Sequence, residues 1–220
     1  MPSLEQQVAR TLLPGMTLPE PLRQLFSWIE SRHLYVDGKA GRIGFLFPEA
    51  TQKAGWTESG RPGGTDISFF AEGNVNLKYW FGHERPDVLD RLCVFAKTGA
   101  EGSMAAFWLD EQGAQKIVHL GSGSGSIMAC VLADSAIDFL RLLAIGYDEI
   151  CWGEQFSGPP NTDPSLGFAV SPNDEFQQWV CSTFNVNIPH KGSDIVSHPD
   201  DMGTPGSLDP FNQWVQANTG

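Results

Sequence analysis

Between Leu92 and Leu132 short apolar runs alternate with breaks of only a few residues, and this spacing constrains the fold more than any other feature. The runs are Leu92–Ala96, Ser103–Leu109, Lys116–Leu120 and Ile127–Leu132, and the breaks are Thr98–Gly102, Asp110–Gly113 and the GSGSGS sequence of Gly121–Ser126. A parallel connection needs a crossover of about a dozen residues or more. No break is that long, so successive strands should pair antiparallel. Asp66–Ala71 and the aromatic-rich Asn76–Phe81 read as two further strands around a turn at Glu72–Gly73–Asn74. Residues 37–65 are rich in glycine and turn signals and hold one strand candidate, Ile43–Phe47. Met104–Leu109 and Ile127–Leu132 are apolar at consecutive positions, which predicts strands covered on both faces.

Helices bracket this meander. Ser3 with Gln6 forms a capping-box pattern ahead of Leu4, Val8 and Leu12, and Pro14–Gly15 stop the helix. From Pro19 to His33, Leu22, Leu25, Phe26 and Ile29 fall on one face. Ser135 and Asp138 open a third helix with an apolar stripe of Ala136, Phe139, Leu140 and Leu143, and Gly146 ends it. Asp174–Phe184 reads as an amphipathic helix with Phe176, Trp179 and Val180 inward, and Pro210–Ala217 as a weak terminal helix. The fold class is therefore α+β: a mostly antiparallel sheet of about five to six strands within residues 43–132, flanked by the helices at 19–33 and 135–146. The predicted organisation is an α+β domain over residues 1–152 and an acidic, loop-rich extension over 153–220, either packed on it as a cap or mobile.

Charge is unevenly distributed. Residues 1–147 carry 13 basic and 16 acidic side chains, a net of −3, whereas residues 148–220 carry 10 acidic ones and a single base, Lys191, a net of −9. Such a surface repels nucleic acid and anionic membranes and attracts a basic partner; a merely solubilising acidic face is the other explanation. Tyr147 and Trp152, set among Asp148, Glu149 and Glu154, have the composition of an interface anchor with an acidic rim, although Trp152 could equally plug the end of the sheet. Trp28, Trp80, Trp108 and Trp179 lie in periodic segments and are expected in the core.

Signatures of catalysis are weak. GSGSGS precedes a predicted strand, not a helix N-terminus, and lacks the lysine of a phosphate loop, so it reads as a turn. His190 and His198, near Asp194, Asp200 and Asp201, are too far apart for common zinc spacings. His83 reads as a loop residue and His119 as a core histidine bonded to a backbone carbonyl. No Cys–His or Ser–His–Asp signature is present, and Ser126 lacks the nucleophile-elbow context. The four cysteines, Cys93, Cys130, Cys151 and Cys181, form no C-x-x-C pair, which suits free thiols in a reducing compartment. The N-terminal MPSLEQQVARTLLPG has neither the basic start nor the apolar stretch of a secretory signal, and no run approaches a membrane span. The expectation is a cytoplasmic protein without catalytic residues, metal or cofactor.

One stretch carries a family resemblance. In FWLDEQGAQKIVHLGSGSGSIMACVLADSAIDFLRLLAIGYDEI, from Phe107 to Ile150, a strand ends in V-H-L-G-S, a small-residue turn follows, a second strand ends in V-L-A-D, and a helix D-F-L-R-L-L-A-I-G-Y closes the pattern. The segment Ala136–Tyr147 and the preceding Phe107–Asp110 resemble the SUKH superfamily, which includes the yeast Smi/Knr regulator. The resemblance implies a cytoplasmic immunity protein that binds and neutralises a cognate toxin, often a nuclease or deaminase; a monomer or weak dimer is expected. It leaves a non-catalytic regulatory adaptor as the alternative and a small hydrolase as a third. The family has no shared catalytic set, and fold alone does not fix function.

Overall fold

The structure, a computed structural model, describes residues 1–51, 60–163, 165 and 169–219. The turn-rich readings of 37–65 and 153–173 lie in part outside the described residues. Two helices come first, α1 (Leu4–Thr11) and α2 (Glu20–Ser31). Ser3 and Gln6 make the reciprocal capping box on α1. Strands β1 (Tyr35–Gly38), β2 (Gly41–Phe45), β3 (Gly60–Pro62) and β4 (Ser68–Gly73) follow, then short helices α3 (Leu77–Phe81) and α4 (Pro86–Leu89). The meander is β5 (Leu92–Lys97), β6 (Met104–Leu109), β7 (Gln115–Leu120) and β8 (Ala129–Ala133). Helix α5 (Ala136–Ile145), strand β9 (Ala169–Ser171), α6 (Asp174–Phe184) and α7 (Pro210–Asn218) complete the chain.

The class is α+β as expected, but the main sheet has seven strands in the order β1-β2-β4-β5-β6-β7-β8, every adjacent pair antiparallel. The Ile43–Phe47 candidate overlaps β2, but the sequence reading left out β1, where Tyr35–Gly38 pairs with Gly41–Gly44 of β2. A separate parallel pair, β3 with β9, joins segments more than 100 residues apart, for example Arg61 with Val170. Asn76–Phe81 is a correction: it is helix α3, not a strand. Leu77 and Phe81, four residues apart, share one buried face, while Tyr79 between them is 78% exposed. Gly82, at φ 74°, stops the helix in the left-handed region.

Both faces of the sheet are covered. On one, α1, α2, α5 and α6 bury Phe26, Phe69, Phe95, Phe107, Phe139 and Phe176 in one cluster. Phe95 stacks on Phe107 with ring centroids 4.3 Å apart and meets Phe139 edge-on at 5.7 Å. On the other, Trp108 from β6 packs against Phe211 (5.2 Å) and Trp214 (5.7 Å) of α7, with Leu77, Phe81, Val88 and Val94 around them. Each such side chain, fully buried, contributes about 1.5–3 kcal/mol of hydrophobic stabilisation. Trp28 and Trp108 are buried as expected, whereas Trp80 and Trp179 are only half-buried against the same clusters.

The described residues after Trp152 contribute to both cores: Phe156, Phe176, Val180 and Val196 enter the first, and Phe211, Trp214 and Val215 the second. They also close the edge strand β8. Ala129 N donates to Asp200 O (2.9 Å), Val131 N to Asp209 Oδ2 (2.9 Å), and Met128 bridges Asp201. The edge that a seventh strand would leave open is thereby occupied. No helix among the described residues is long and apolar enough to cross a membrane.

Candidate functional site

The acidic aromatic segment predicted as an anchor begins where α5 stops. Gly146, at φ 99°, turns the chain out of the helix. The next residues run between two loops: Gly64 N donates to Tyr147 O (2.6 Å), Asp66 N to Asp148 O (3.1 Å), and Ile150 N to Thr98 O (2.9 Å). The passage is tight. A Cβ on Gly63 would lie 2.1 Å from Gly146 O, so only glycine fits there.

This threading separates the five predicted residues. Tyr147 is only 3% exposed. Its hydroxyl donates to Gly158 O (2.5 Å) and accepts from Gly192 N (2.9 Å), and its ring meets Phe156 edge-on. Asp148 is also buried, 3.5 Å from the Arg61 guanidinium. Neither is therefore a projecting anchor: internal hydrogen bonding and packing hold Tyr147, and an ion pair across the segment holds Asp148. Glu149 and Trp152 are half-buried, and Glu154 is exposed. The Trp152 indole N–H donates to Glu149, whose other oxygen accepts from Ala100 N (3.1 Å). The Trp152 ring lies over the GSGSGS turn, its Cη2 3.7 Å from the position of a Cβ on Gly125. Trp152 thus covers the end of the sheet while part of its surface stays open beside Glu149.

Beneath this segment is a carboxylate cluster that sequence spacing does not show. Arg61 Nη1 lies 3.3 Å from Asp66 Oδ2 and 3.5 Å from Asp148 Oδ2, so two buried carboxylates share one guanidinium. Burial, reinforced by the charges of Glu149 and Asp148, pushes Asp66 up to about 6; Arg61 and Lys97 oppose the shift. Burial and Glu149 likewise raise Asp148, and burial with Glu149 and Glu101 raises the Cys151 thiol. A thiol so held is a poor nucleophile.

Above Asp148 opens a half-enclosed cleft of about 400 Å³. Tyr147, Asp148 and Gln155 line it with Pro159 and Val170, and Glu154 stands in its wall. The short 3-10 turn Gly153–Ser157 supplies Glu154 and Gln155. Gln155 Oε1 is buried and has no hydrogen-bond partner among the described residues.

The remaining candidates resolve individually. GSGSGS is a turn between β7 and β8, with Gly123 N donating to Ser126 O (3.0 Å), and a strand follows it. His119 is a core residue, its Nδ1 2.9 Å from Met128 O. His83 Nε2 lies 2.7 Å from Asn218 O. Asp200 accepts from Ser207 Oγ (2.5 Å), and His190 is exposed. Among the described residues, no three His, Cys, Asp or Glu side chains are grouped to hold a metal ion, and all four cysteines are free thiols. The chain matches no protein-family model, no curated protein and no solved structure.

Proposed function

We propose that this chain is a cytoplasmic, non-catalytic immunity protein of the SUKH type that neutralises a cognate toxin by binding its basic domain. The observation that carries the reading is the net charge of −9 over residues 148–220, with Lys191 the only base. Nuclease toxins must neutralise phosphates, so their clefts are basic and complementary to such a surface. Glu154 and Asp194 are exposed, Glu149 is half-exposed beside Trp152, and Glu154 also lines the acidic cleft. Helix α5, which carries the D-F-L-R-L-L-A-I-G-Y resemblance, directly follows the last strand of the main sheet, the order that resemblance implies. Neither nucleic acid nor membrane suits this surface as a partner, and the protein acts as a monomer or weak dimer.

The test is protection. A toxin domain encoded beside this gene is expressed in cells with and without the chain. Survival only with the chain, through a stable complex of the two proteins, supports the reading. A neighbourhood of stress or cell-wall genes without a toxin, and no rescue, favours the regulatory adaptor.

A further inference from the structure

The cleft beside Asp148 has the chemistry of a receptor for a cation. Its polar groups among the described residues are acceptors or neutral, and no lysine or arginine is among those that line it. The Asp148 side chain is 7% exposed, and among the described residues the side chain that pairs with it is Arg61, at 3.5 Å and shared with Asp66. Glu154 adds a second, exposed carboxylate. A buried carboxylate that shares its counter-ion is costly, and a second cation offsets that cost. Pro159 and Val170 form apolar wall on which an aliphatic stem can lie.

We propose that this cleft receives an arginine side chain presented by the protein partner, with Asp148 and Glu154 accepting from its guanidinium. The inference rests on the reading of a basic protein partner and assigns the place where that partner is anchored. Arginine fits better than lysine. Its planar fork offers five donors to acceptors in different directions, whereas a lysine ammonium is a compact, strongly hydrated charge. Tyr147 acts as a positioning residue, because its hydroxyl ties Gly158 to Gly192 and so fixes the wall of the cleft.

The test uses the full chain and a short blocked peptide, acetyl-Gly-Arg-Gly-amide, followed by amide chemical shifts. The same peptide with citrulline, which keeps the shape and loses the charge, is the control. The arginine peptide should move the amides of Glu154, Gln155, Asn161 and Val170 saturably, and the citrulline peptide should not. Glu154→Gln and Asp148→Asn should each weaken binding about tenfold, as loss of a charge-assisted hydrogen bond does. Glu111→Gln, in the distant β6–β7 turn, should leave it unchanged. If Asp148→Asn does not fold, exposed Glu154 decides alone. Cleft amides that stay still, that respond equally to citrulline, or that respond undiminished in Glu154→Gln overturn the proposal. Because the peptide is tested without the toxin, the two readings fail separately: a toxin that binds while the peptide does not removes only the arginine cleft.

Discussion

His119 Nε2 lies 3.0 Å from Thr98 Oγ1 in the interior of the sheet, so the histidine joins β7 to the loop after β5. With Nδ1 on Met128 O, the ring has both nitrogens satisfied while neutral. Burial lowers its pKa from 6.5 to about 4. Below pH 6.5 the unfolded chain therefore binds a proton that the folded one does not, and stability falls as pH drops toward 4. A difference of this size corresponds to about 3 kcal/mol.

Asp66 acts in the opposite direction. Its pKa is raised from 3.8 to about 6, so the folded state takes up its proton first and gains relative stability as pH falls through that window. Urea unfolding at a series of pH values checks the pair. His119→Gln should lose less stability than the parent between pH 6.5 and 4, and Asp66→Asn should lose more. Equal slopes in all three proteins would contradict both assignments.

The C-terminal helix should be indispensable. Asn212 is fully buried and donates from Nδ2 to Ala129 O (2.8 Å) and Asp201 O (2.9 Å), fastening α7 to the edge strand. Asn212→Leu should destabilise the chain by about 1–3 kcal/mol through the carbonyl groups it leaves unpaired. Trp214→Ala should cost about 3–5 kcal/mol. Thermal or urea unfolding measures both, and a Trp214→Ala protein as stable as its parent would show that α7 is not part of the core.

Gly63 should tolerate no side chain. Its would-be Cβ meets backbone at Gly146, so the neighbour cannot rotate away. Gly63→Ala should displace the Tyr147–Ile150 segment and open the cleft, lowering the thermal midpoint. Gly113→Ala is the comparison: its Cβ would meet nothing within 4 Å, and only its positive φ of 80° opposes the change. A Gly63→Ala protein no less stable than Gly113→Ala would contradict the packing described here.

Much of the frame was legible because its signals are local. Ser135, Asn173 and Asp209 each accept the first-turn hydrogen bond that their identity predicts, so α5, α6 and α7 lie close to where the sequence places them. The short breaks from Thr98 to Ser126 indicated the antiparallel meander for a similarly local reason. Asn76–Phe81 misled because its aromatic residues favour strands in general, while the deciding fact is that Leu77 and Phe81 share a buried face. The candidate site was legible only in composition. Asp148 and Glu149 are adjacent in sequence yet face different surroundings, and the partner that separates them, Arg61, comes from a strand paired with residues more than 100 positions away. Gln155 and Asp66 carry no spacing signal at all.

The central claim, that the acidic C-terminal third captures a basic toxin domain, is tested most directly by association kinetics across a range of ionic strength. Glu154 and Asp194 are the residues to reverse, since both are exposed and their change to lysine leaves the core untouched. The parent chain should associate at rates approaching roughly 10⁸ M⁻¹s⁻¹ at low salt and slow steeply as salt rises. Glu154→Lys with Asp194→Lys should slow association about tenfold and flatten the salt dependence, with the thermal midpoint unchanged. A toxin domain that binds at the same rate at low and high salt, and equally fast to the doubly reversed chain, would contradict the account.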